Sequence, residues 1–218
     1  MRRGIHWRNV REMETDAFQK AQYFDSFVVL SSAGPELPRI IRHHFPGALV
    51  IVRLYWPAGD LPHMDDVVGM AYEYLGKATD EAGAITHVQL LNEPDIEYPG
   101  VTPEAFARWF TVVRENLRSY AHDLQVGFPM PSVKGEESWQ YALRCAEGIE
   151  ASDFIAEHCY WQTDEMMDDW NWGARYYRCH QEWPTKIIHI TEYGCSAEID
   201  GLTKAAMYSH YLREMPEY

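Results

Sequence analysis

The chain has 218 residues, of which 46% are hydrophobic and 14% aromatic, and this is enough apolar material for one packed core. Its 33 acidic and 19 basic residues give a formal net charge of -14, which repels phosphate backbones and anionic lipid surfaces. We therefore expect no nucleic-acid and no membrane partner, whereas neutral molecules remain candidates.

The N-terminal residues run directly into an apolar strand pattern, without the apolar segment of a leader peptide. No stretch reaches the roughly 18 consecutive apolar residues of a membrane span. The expected location is therefore cytoplasmic, or secreted if a leader precedes this sequence.

The four cysteines all lie in the last third of the chain, at Cys145, Cys159, Cys179 and Cys195. Their spacing contains no C-x-x-C pair, the usual signature of a structural zinc site. We expect buried free thiols, although one disulfide bridge remains an alternative.

Short apolar runs alternate with longer segments of helical period, a pattern typical of repeated βα units. The predicted strands are residues 4–8, 27–31, 48–54, 87–91, 124–128, 153–158 and 186–191. The predicted helices are residues 15–23, 35–44, 64–78, 103–120, 136–147, 166–180 and 202–214. The helix over 103–120 has the clearest signals, since Thr102 is a good N-cap and Pro103 suits the first helical position.

Seven strand–helix pairs without a linker or a repeat predict one α/β domain over residues 1–218, a TIM-type (β/α) barrel. A closed barrel of this type has eight strands, and the eighth is missing by this count. Either the sequence stops short of it, or the barrel is open between the first and seventh strands, where a neighbouring copy in a homo-oligomer could cover the seam. The alternative fold is an open doubly wound sheet, but no Gly-rich phosphate-binding loop follows any strand.

Active sites of such barrels lie at the C-terminal ends of the strands, so polar and aromatic residues there are the candidate site. These residues are His6, Arg53, Trp56, Asn92, Glu93, His158, Tyr160, Trp161, Glu192 and Tyr193. Neither a His-x-His on the first strand nor an H-E-x-x-H occurs, so no metal site is expected and no cofactor is implied.

Two segments at this rim carry a resemblance to a known group of enzymes. Asn92-Glu93-Pro94 after the fourth strand and Thr191-Glu192-Tyr193-Gly194 after the seventh resemble the paired motifs of the clan A glycoside hydrolases, which are retaining enzymes on (β/α)₈ barrels. The resemblance implies that Glu93 is the acid/base, Glu192 the nucleophile and Asn92 the partner of the sugar 2-hydroxyl. It identifies the clan and not one family within it.

The resemblance extends to two other strands and fails at one. His158-Cys159-Tyr160 is similar to the clan's His-x-Tyr at strand six, which implies that Tyr160 contacts the nucleophile. Arg53 is a weaker match, because the clan's arginine often comes from strand two. The clan's eighth strand commonly supplies a tryptophan platform under the reactive sugar, and this sequence has no such segment.

Elementary chemistry supports the same pairing. Retaining hydrolysis needs two carboxyl groups about 5–5.5 Å apart, and strands four and seven face each other across a narrow barrel. At that distance the two groups do not easily ionise together, so one pKa must rise. Arg53 or the Tyr160 hydroxyl can keep Glu192 charged, which leaves Glu93 as the protonated acid.

The expected function is therefore hydrolysis of a β-linked neutral glycan, with His6, Trp56, Trp161 and Tyr193 among the substrate-binding residues. Trp170 and Trp172 either stack on sugar faces or pack their helix onto the barrel. Two other functions stay open: carbohydrate binding without catalysis on an incomplete barrel, and a lyase or hydrolase reaction of the same acids on a non-sugar substrate.

Overall fold

The structure, a computed structural model, describes residues 4–7, 25–78 and 85–214. Seven parallel strands form one sheet in which each strand pairs with the next along the chain. The strands are β1 (Gly4–Trp7), β2 (Ser26–Leu30), β3 (Leu49–Leu54), β4 (His87–Leu90), β5 (Gln125–Pro129), β6 (Phe154–Trp161) and β7 (Ile187–Cys195). The first and last strands approach each other without pairing, so the sheet curls into a nearly closed barrel with fewer than eight strands, as predicted.

Helices follow the strands and cover the outside of the sheet. In the described part of the chain they are α1 (Glu36–His44), α2 (Met64–Ala78), α3 (Pro94–Glu97), α4 (Pro103–Tyr120), α5 (Glu136–Arg144), α6 (Ala146–Ala151), α7 (Asp164–Met167), α8 (Arg175–Glu182) and α9 (Gly201–Glu214). The cap predicted for α4 is confirmed, since the Thr102 hydroxyl accepts a hydrogen bond from the Ala105 N–H at 3.3 Å. The predicted helix over 15–23 lies outside the described residues.

The predicted helix over 166–180 is wrong, because the chain breaks it between α7 and α8. Asp169 Oδ1 accepts a hydrogen bond from the Asn171 N–H at 2.7 Å, which competes with the helical pattern. Gly173 then lies against the backbone of Met167, where an added Cβ would come within 2.3 Å of the Met167 carbonyl oxygen. This local turn chemistry outweighs the helical period of the apolar residues.

Alternation along the strands divides the buried residues into an outer and an inner layer. The outer layer lies between the sheet and the helices and holds most of the core, including Phe27, Val52 and Phe128. The inner layer fills the barrel with a small cluster that includes Ile51 and Phe154. Residues one position apart on a strand therefore serve different layers, and this decides which side chains reach the mouth of the barrel.

Two other findings concern the cysteines and the described helices. All four cysteines are buried and free, as the spacing indicated. Among the described helices, none combines the length and the apolar character that crossing a membrane requires.

Gly127 on β5 gives a test of the inner layer. A Cβ at this position would lie 2.1 Å from the ring of Phe154, so the absence of a side chain makes room for that ring. We expect Gly127→Ala to lower the free energy of unfolding by about 1–3 kcal/mol through overpacking. The measurement is urea unfolding followed by circular dichroism.

Gly69→Ala is the matched control, because Gly69 lies on the exposed face of α2 with no atom within 4 Å of its added Cβ. Alanine there should raise the free energy of unfolding by up to about 1 kcal/mol. Equal effects of the two substitutions would contradict the packing described for the barrel interior.

Candidate active site

The carboxyl groups of Glu93 and Glu192 lie near the two ring nitrogens of one histidine, His158. His158 Nδ1 lies 2.9 Å from Glu93 Oε1, and His158 Nε2 lies 3.9 Å from Glu192 Oε1. Glu93 follows β4, whereas Glu192 lies within β7, 99 positions further along the chain. The fold therefore brings the two sequence-predicted acids into one site.

The segment that carries Glu93 turns sharply after β4. Leu91 has a φ of 61°, a left-handed conformation that a bulky side chain rarely adopts. Two hydrogen bonds hold this residue: its N–H donates to the Leu54 carbonyl at 3.0 Å, and Gln89 Nε2 donates to its carbonyl at 3.1 Å. Pro94 then opens α3, so Glu93 stands at the cap position of a single helical turn.

A β-bulge between β6 and β7 decides the direction of Glu192. Glu157 pairs with Ile190, but His158 pairs with Glu192, so Thr191 is an extra residue in β7. Without this extra residue Glu192 would stand opposite Cys159, on the face that packs against the helices. The bulge turns its carboxylate to the same side of the sheet as His158.

Arg53 on β3 links the groups of the site. Its side chain is only 2% exposed, and its Nη1 donates to Glu192 Oε1. Its Nη2 lies 3.4 Å from Thr191 Oγ1 and 3.3 Å from His158 Nε2. Because a guanidinium can only donate, this contact favours a His158 tautomer with the proton on Nδ1, where it is donated to Glu93.

Glu192 is held in its ionised form. Burial alone would raise its pKa, but the electrostatic interaction with His158, the charge of Arg53 and hydrogen bonds from Arg53 and Tyr160 outweigh burial and lower the pKa to about 2.

Tyr160 supplies the second donor to Glu192, because its hydroxyl binds Glu192 Oε2. Burial, followed by the negative charge of Glu192, raises the pKa of Tyr160 well above its ordinary value. The hydroxyl therefore stays protonated and keeps donating.

Asn92 contacts a third carboxyl group that the sequence analysis did not single out. Its Nδ2 donates to Glu97 Oε1 at 2.8 Å, across the single turn of α3. Burial is the main cause that raises the pKa of Glu97, opposed by the hydrogen bond from Asn92. The spacing of five residues gave no signal of this contact, since it depends on how tightly α3 turns.

The structure corrects the substrate-binding role expected for Trp161 and Tyr193. Trp161 is 0% exposed and stacks on Tyr211 at a ring distance of 4.5 Å. Tyr193 stacks on the same ring at 5.7 Å, so both side chains lie between the sheet and α9. The physical reason is alternation: their neighbours Tyr160 and Glu192 point into the mouth, so these two point away from it.

The remaining predicted residues take different positions. Trp56 is half-buried after β3, and its carbonyl accepts a hydrogen bond from the Tyr98 hydroxyl at 3.3 Å. His6 lies on β1 beside Val28 in the strand register, and its side chain is outside the described residues. Trp170 is 46% exposed and stacks against Tyr177.

The sequence analysis also missed the two residues that shape the bulge. Thr191 is buried beside Arg53, and Glu157 is 0% exposed on the opposite face of β6. A buried glutamate in the middle of an apolar strand was the available signal for Glu157. In the ranges that the structure describes, no group of three or more His, Cys, Asp or Glu side chains is arranged to hold a metal ion.

Comparison with solved structures gives the fold a context. The chain is similar to a GH128 curdlan-specific exo-β-1,3-glucanase from Blastomyces gilchristii, with 17% identity, a TM-score of 0.61 and coverage of 98% of this chain and 82% of that one. It is also similar to a β-mannanase from Thermomonospora fusca (14% identity, TM-score 0.64, 97% and 75% covered). A third is an endo-1,4-β-D-mannanase from Thermotoga petrophila (13% identity, TM-score 0.60, 98% and 85% covered).

At these identities the comparisons establish a shared fold. No family model matches the sequence, and no curated protein does. The chain therefore shares its barrel fold with these three solved structures, as the alternation of strands and helices predicted.

The ion pair of Arg53 and Glu192 predicts how stability depends on pH. The pKa of Glu192 falls from an ordinary 4.5 to about 2 in the folded chain, so its carboxylate stabilises the fold fully above pH 4.5, and this stabilisation is lost as the pH falls toward about 2. Glu192→Gln leaves a buried cation without its partner, and we expect it to lower the free energy of unfolding by about 3 kcal/mol at pH 7.

The measurement is denaturant unfolding of both proteins between pH 7 and pH 3. The difference between them should be constant above pH 5 and should shrink below pH 4.5. A difference that keeps its full size down to pH 3 would show that the carboxylate is not held ionised by Arg53.

Proposed function

We propose that this protein is a retaining glycoside hydrolase that cleaves a β-linked neutral glycan by double displacement. The observation that carries the proposal is the arrangement of two carboxyl groups on opposite nitrogens of His158, with Arg53 bound to only one of them among the described contacts. Two acids in unlike environments are what acid and nucleophile roles require.

In the first step the protonated Glu93 gives its proton to the glycosidic oxygen while a Glu192 oxygen attacks the anomeric carbon. The bond between that carbon and the leaving oxygen breaks, and a glycosyl ester forms on Glu192. In the second step Glu93, now a carboxylate, takes a proton from water, the water oxygen attacks the same carbon, and Glu192 leaves as a carboxylate.

The low pKa of Glu192 supports this assignment of roles. A nucleophilic carboxylate must be ionised when the substrate arrives, and Arg53 and Tyr160 keep Glu192 in that state. The hydrogen bond from His158 Nδ1 orients Glu93 toward the same space. In this proposal Asn92, the neighbour of Glu93 in the chain, binds the sugar 2-hydroxyl.

A neutral β-glycan is the substrate class that fits best. The net charge of -14 disfavours anionic polysaccharides, because like charges repel at the mouth of the site. The structurally similar proteins named above are, by their names, a β-1,3-glucanase and β-mannanases.

Carbohydrate binding without catalysis is the second candidate. The observation that favours it is the described sheet of seven strands, which has no eighth strand to carry a platform beneath the reactive sugar. Binding of oligosaccharides in calorimetry with no turnover of any aryl β-glycoside would select this function over hydrolysis.

Substitution of either acid tests the catalytic roles. Glu192→Gln and Glu93→Gln should each lower kcat/KM for unactivated β-glycosides by 10³-fold or more, on the order of the loss of a nucleophile or a general acid. The matched control is Glu150→Gln, an exposed glutamate beside Ser152 at the far end of β6, which should keep full activity.

A covalent trap separates the two roles. A 2-deoxy-2-fluoro glycoside with a good leaving group should leave its sugar on the peptide that contains Glu192, as seen by mass spectrometry. A label on another carboxylate, or unimpaired turnover by Glu192→Gln, would refute the assignment. A label on Glu192 would also exclude a reaction confined to non-sugar substrates.

The hydroxyl of Tyr160 gives a prediction of pH dependence. Tyr160→Phe removes a donor that favours the ionised carboxylate, so the pKa of Glu192 should rise. The acidic limb of the pH profile of kcat/KM should therefore move to higher pH, while the alkaline limb stays in place. Tyr177→Phe is the control, since Tyr177 stacks on Trp170 and Tyr176 on the outer helix α8. An acidic limb that stays in place in Tyr160→Phe would contradict the role of this hydrogen bond.

A further inference from the structure

The single helical turn of α3 is hydrogen-bonded to the backbone of Glu93, the candidate acid/base. The Glu93 carbonyl accepts hydrogen bonds from the N–H groups of Ile96 at 3.2 Å and Glu97 at 3.0 Å. Any shift of α3 therefore moves the backbone of Glu93. Since Leu91, two residues earlier, is held in a left-handed conformation, this segment keeps its shape only if its surroundings fix it.

Asp95 fixes α3 to the next loop of the barrel. Both of its carboxylate oxygens bind one residue: Oδ1 accepts from the Ser132 N–H at 2.7 Å, and Oδ2 accepts from the Ser132 hydroxyl at 2.5 Å. The Ser138 hydroxyl lies 3.4 Å from Oδ2. Ser132 and Ser138 are almost fully buried, so water competes little for these bonds.

Arg175, 1% exposed on α8, holds the loop that carries Ser132. Its Nη1 donates to the carbonyls of Pro131 and Ser132, each at 2.9 Å. Its Nε lies 3.7 Å from Glu157 Oε1, and the same Oε1 accepts the His158 N–H at 2.8 Å. The cation thus joins the loop after β5 to β6 at the point where the bulge of β7 lies opposite Glu157 and His158.

These contacts close into a ring, because His158 in turn binds the Glu93 carboxylate. One side of Glu93 is fixed through its backbone and α3, and the other is fixed through its side chain and His158. Apart from His158, the side chains of this ring have no described hydrogen bond to the carboxyl group of Glu93 or Glu192. It is more specific than a general stabilising network, since both of its ends meet at one residue, Glu93.

We propose that Asp95, held by Ser132 and by the buried pair of Arg175 and Glu157, is a positioning residue for Glu93. This inference rests on the proposed glycosidase function and adds to it a residue that acts through the acid/base. Misplacement of a catalytic group by about 1 Å can cost on the order of 10²-fold in rate. Loosening the Asp95 contact should therefore impair proton donation in particular.

The test uses two β-glycosides of the same sugar, chosen as the one that the wild-type protein cleaves fastest. The methyl glycoside has a poor leaving group that needs a proton, whereas the 2,4-dinitrophenyl glycoside leaves without one. In Asp95→Asn and Ser132→Ala, kcat/KM for the methyl glycoside should fall by about 10- to 100-fold. For the dinitrophenyl glycoside it should stay within about threefold of wild type, since kcat/KM reports the first step.

Asp153→Asn is the matched control. Asp153 also accepts a backbone N–H, that of Val126 at 2.9 Å, and it pairs with Arg114 and Arg118, but at the opposite end of the barrel. It should lower the melting temperature and leave the ratio of the two kcat/KM values unchanged. Glu93→Gln should change this ratio in the same direction as Asp95→Asn, and by more.

Each outcome has a definite meaning. A ratio that does not move in Asp95→Asn and Ser132→Ala, or one that moves as much in Asp153→Asn, overturns the assignment of Asp95. Ser132→Ala removes only a hydroxyl and keeps the Ser132 N–H, so it answers the question even if Asp95→Asn unfolds. A wild-type protein that cleaves neither glycoside overturns the proposed function itself, and the inference with it.

Discussion

The fully buried guanidinium of Arg53 determines how the charges in the barrel mouth are arranged. A buried cation costs several kcal/mol unless it is paired and hydrogen-bonded. Glu192 supplies the pairing charge, and Thr191 and His158 occupy the second nitrogen. Because one arginine contacts three residues from two neighbouring strands, its position fixes the geometry of β6 against β7. The other groups of the site are oriented around this contact.

The two acids differ in their surroundings because Arg53 binds only Glu192 among the described contacts. Glu192 receives donors from Arg53 and Tyr160, which favour its charged form. Among the contacts described for its side chain, Glu93 accepts one hydrogen bond, from Nδ1 of His158. Two residues of the same type thus stand in unlike environments. Arg53 affects Glu93 through His158, because its contact with Nε2 favours the tautomer whose Nδ1–H donates to Glu93. Differences of this kind separate an acid from a nucleophile more reliably than sequence position does.

Sequence reasoning could predict the elements of this fold, because buried strands and amphipathic helices leave periodic patterns in the chain. It also predicted that Glu93, Glu192, His158 and Arg53 lie at the same end of the barrel, since each follows or ends an apolar run, and the structure brings their side chains together. It failed for Trp161 because the alternation of side chains along β6 decides which residues face the mouth, and the composition of the segment does not show which of its residues those are. The contact between Asp95 and Ser132 was equally hidden, since it joins two loops that are adjacent only in the folded barrel.

Both carboxylates depend on a local departure from regular backbone. Glu93 lies two residues after Leu91, which has a left-handed backbone, and Glu192 directly follows Thr191, the extra residue of the bulge. Each irregularity would be unfavourable alone, and each is held by buried polar groups, Gln89 beside Leu91 and Glu157 beside His158. A fold under no demand beyond stability would gain by replacing these irregularities with regular strand and apolar side chains. Their occurrence at the two acids, on strands four and seven of the same barrel, is what the proposed catalytic roles of Glu93 and Glu192 require.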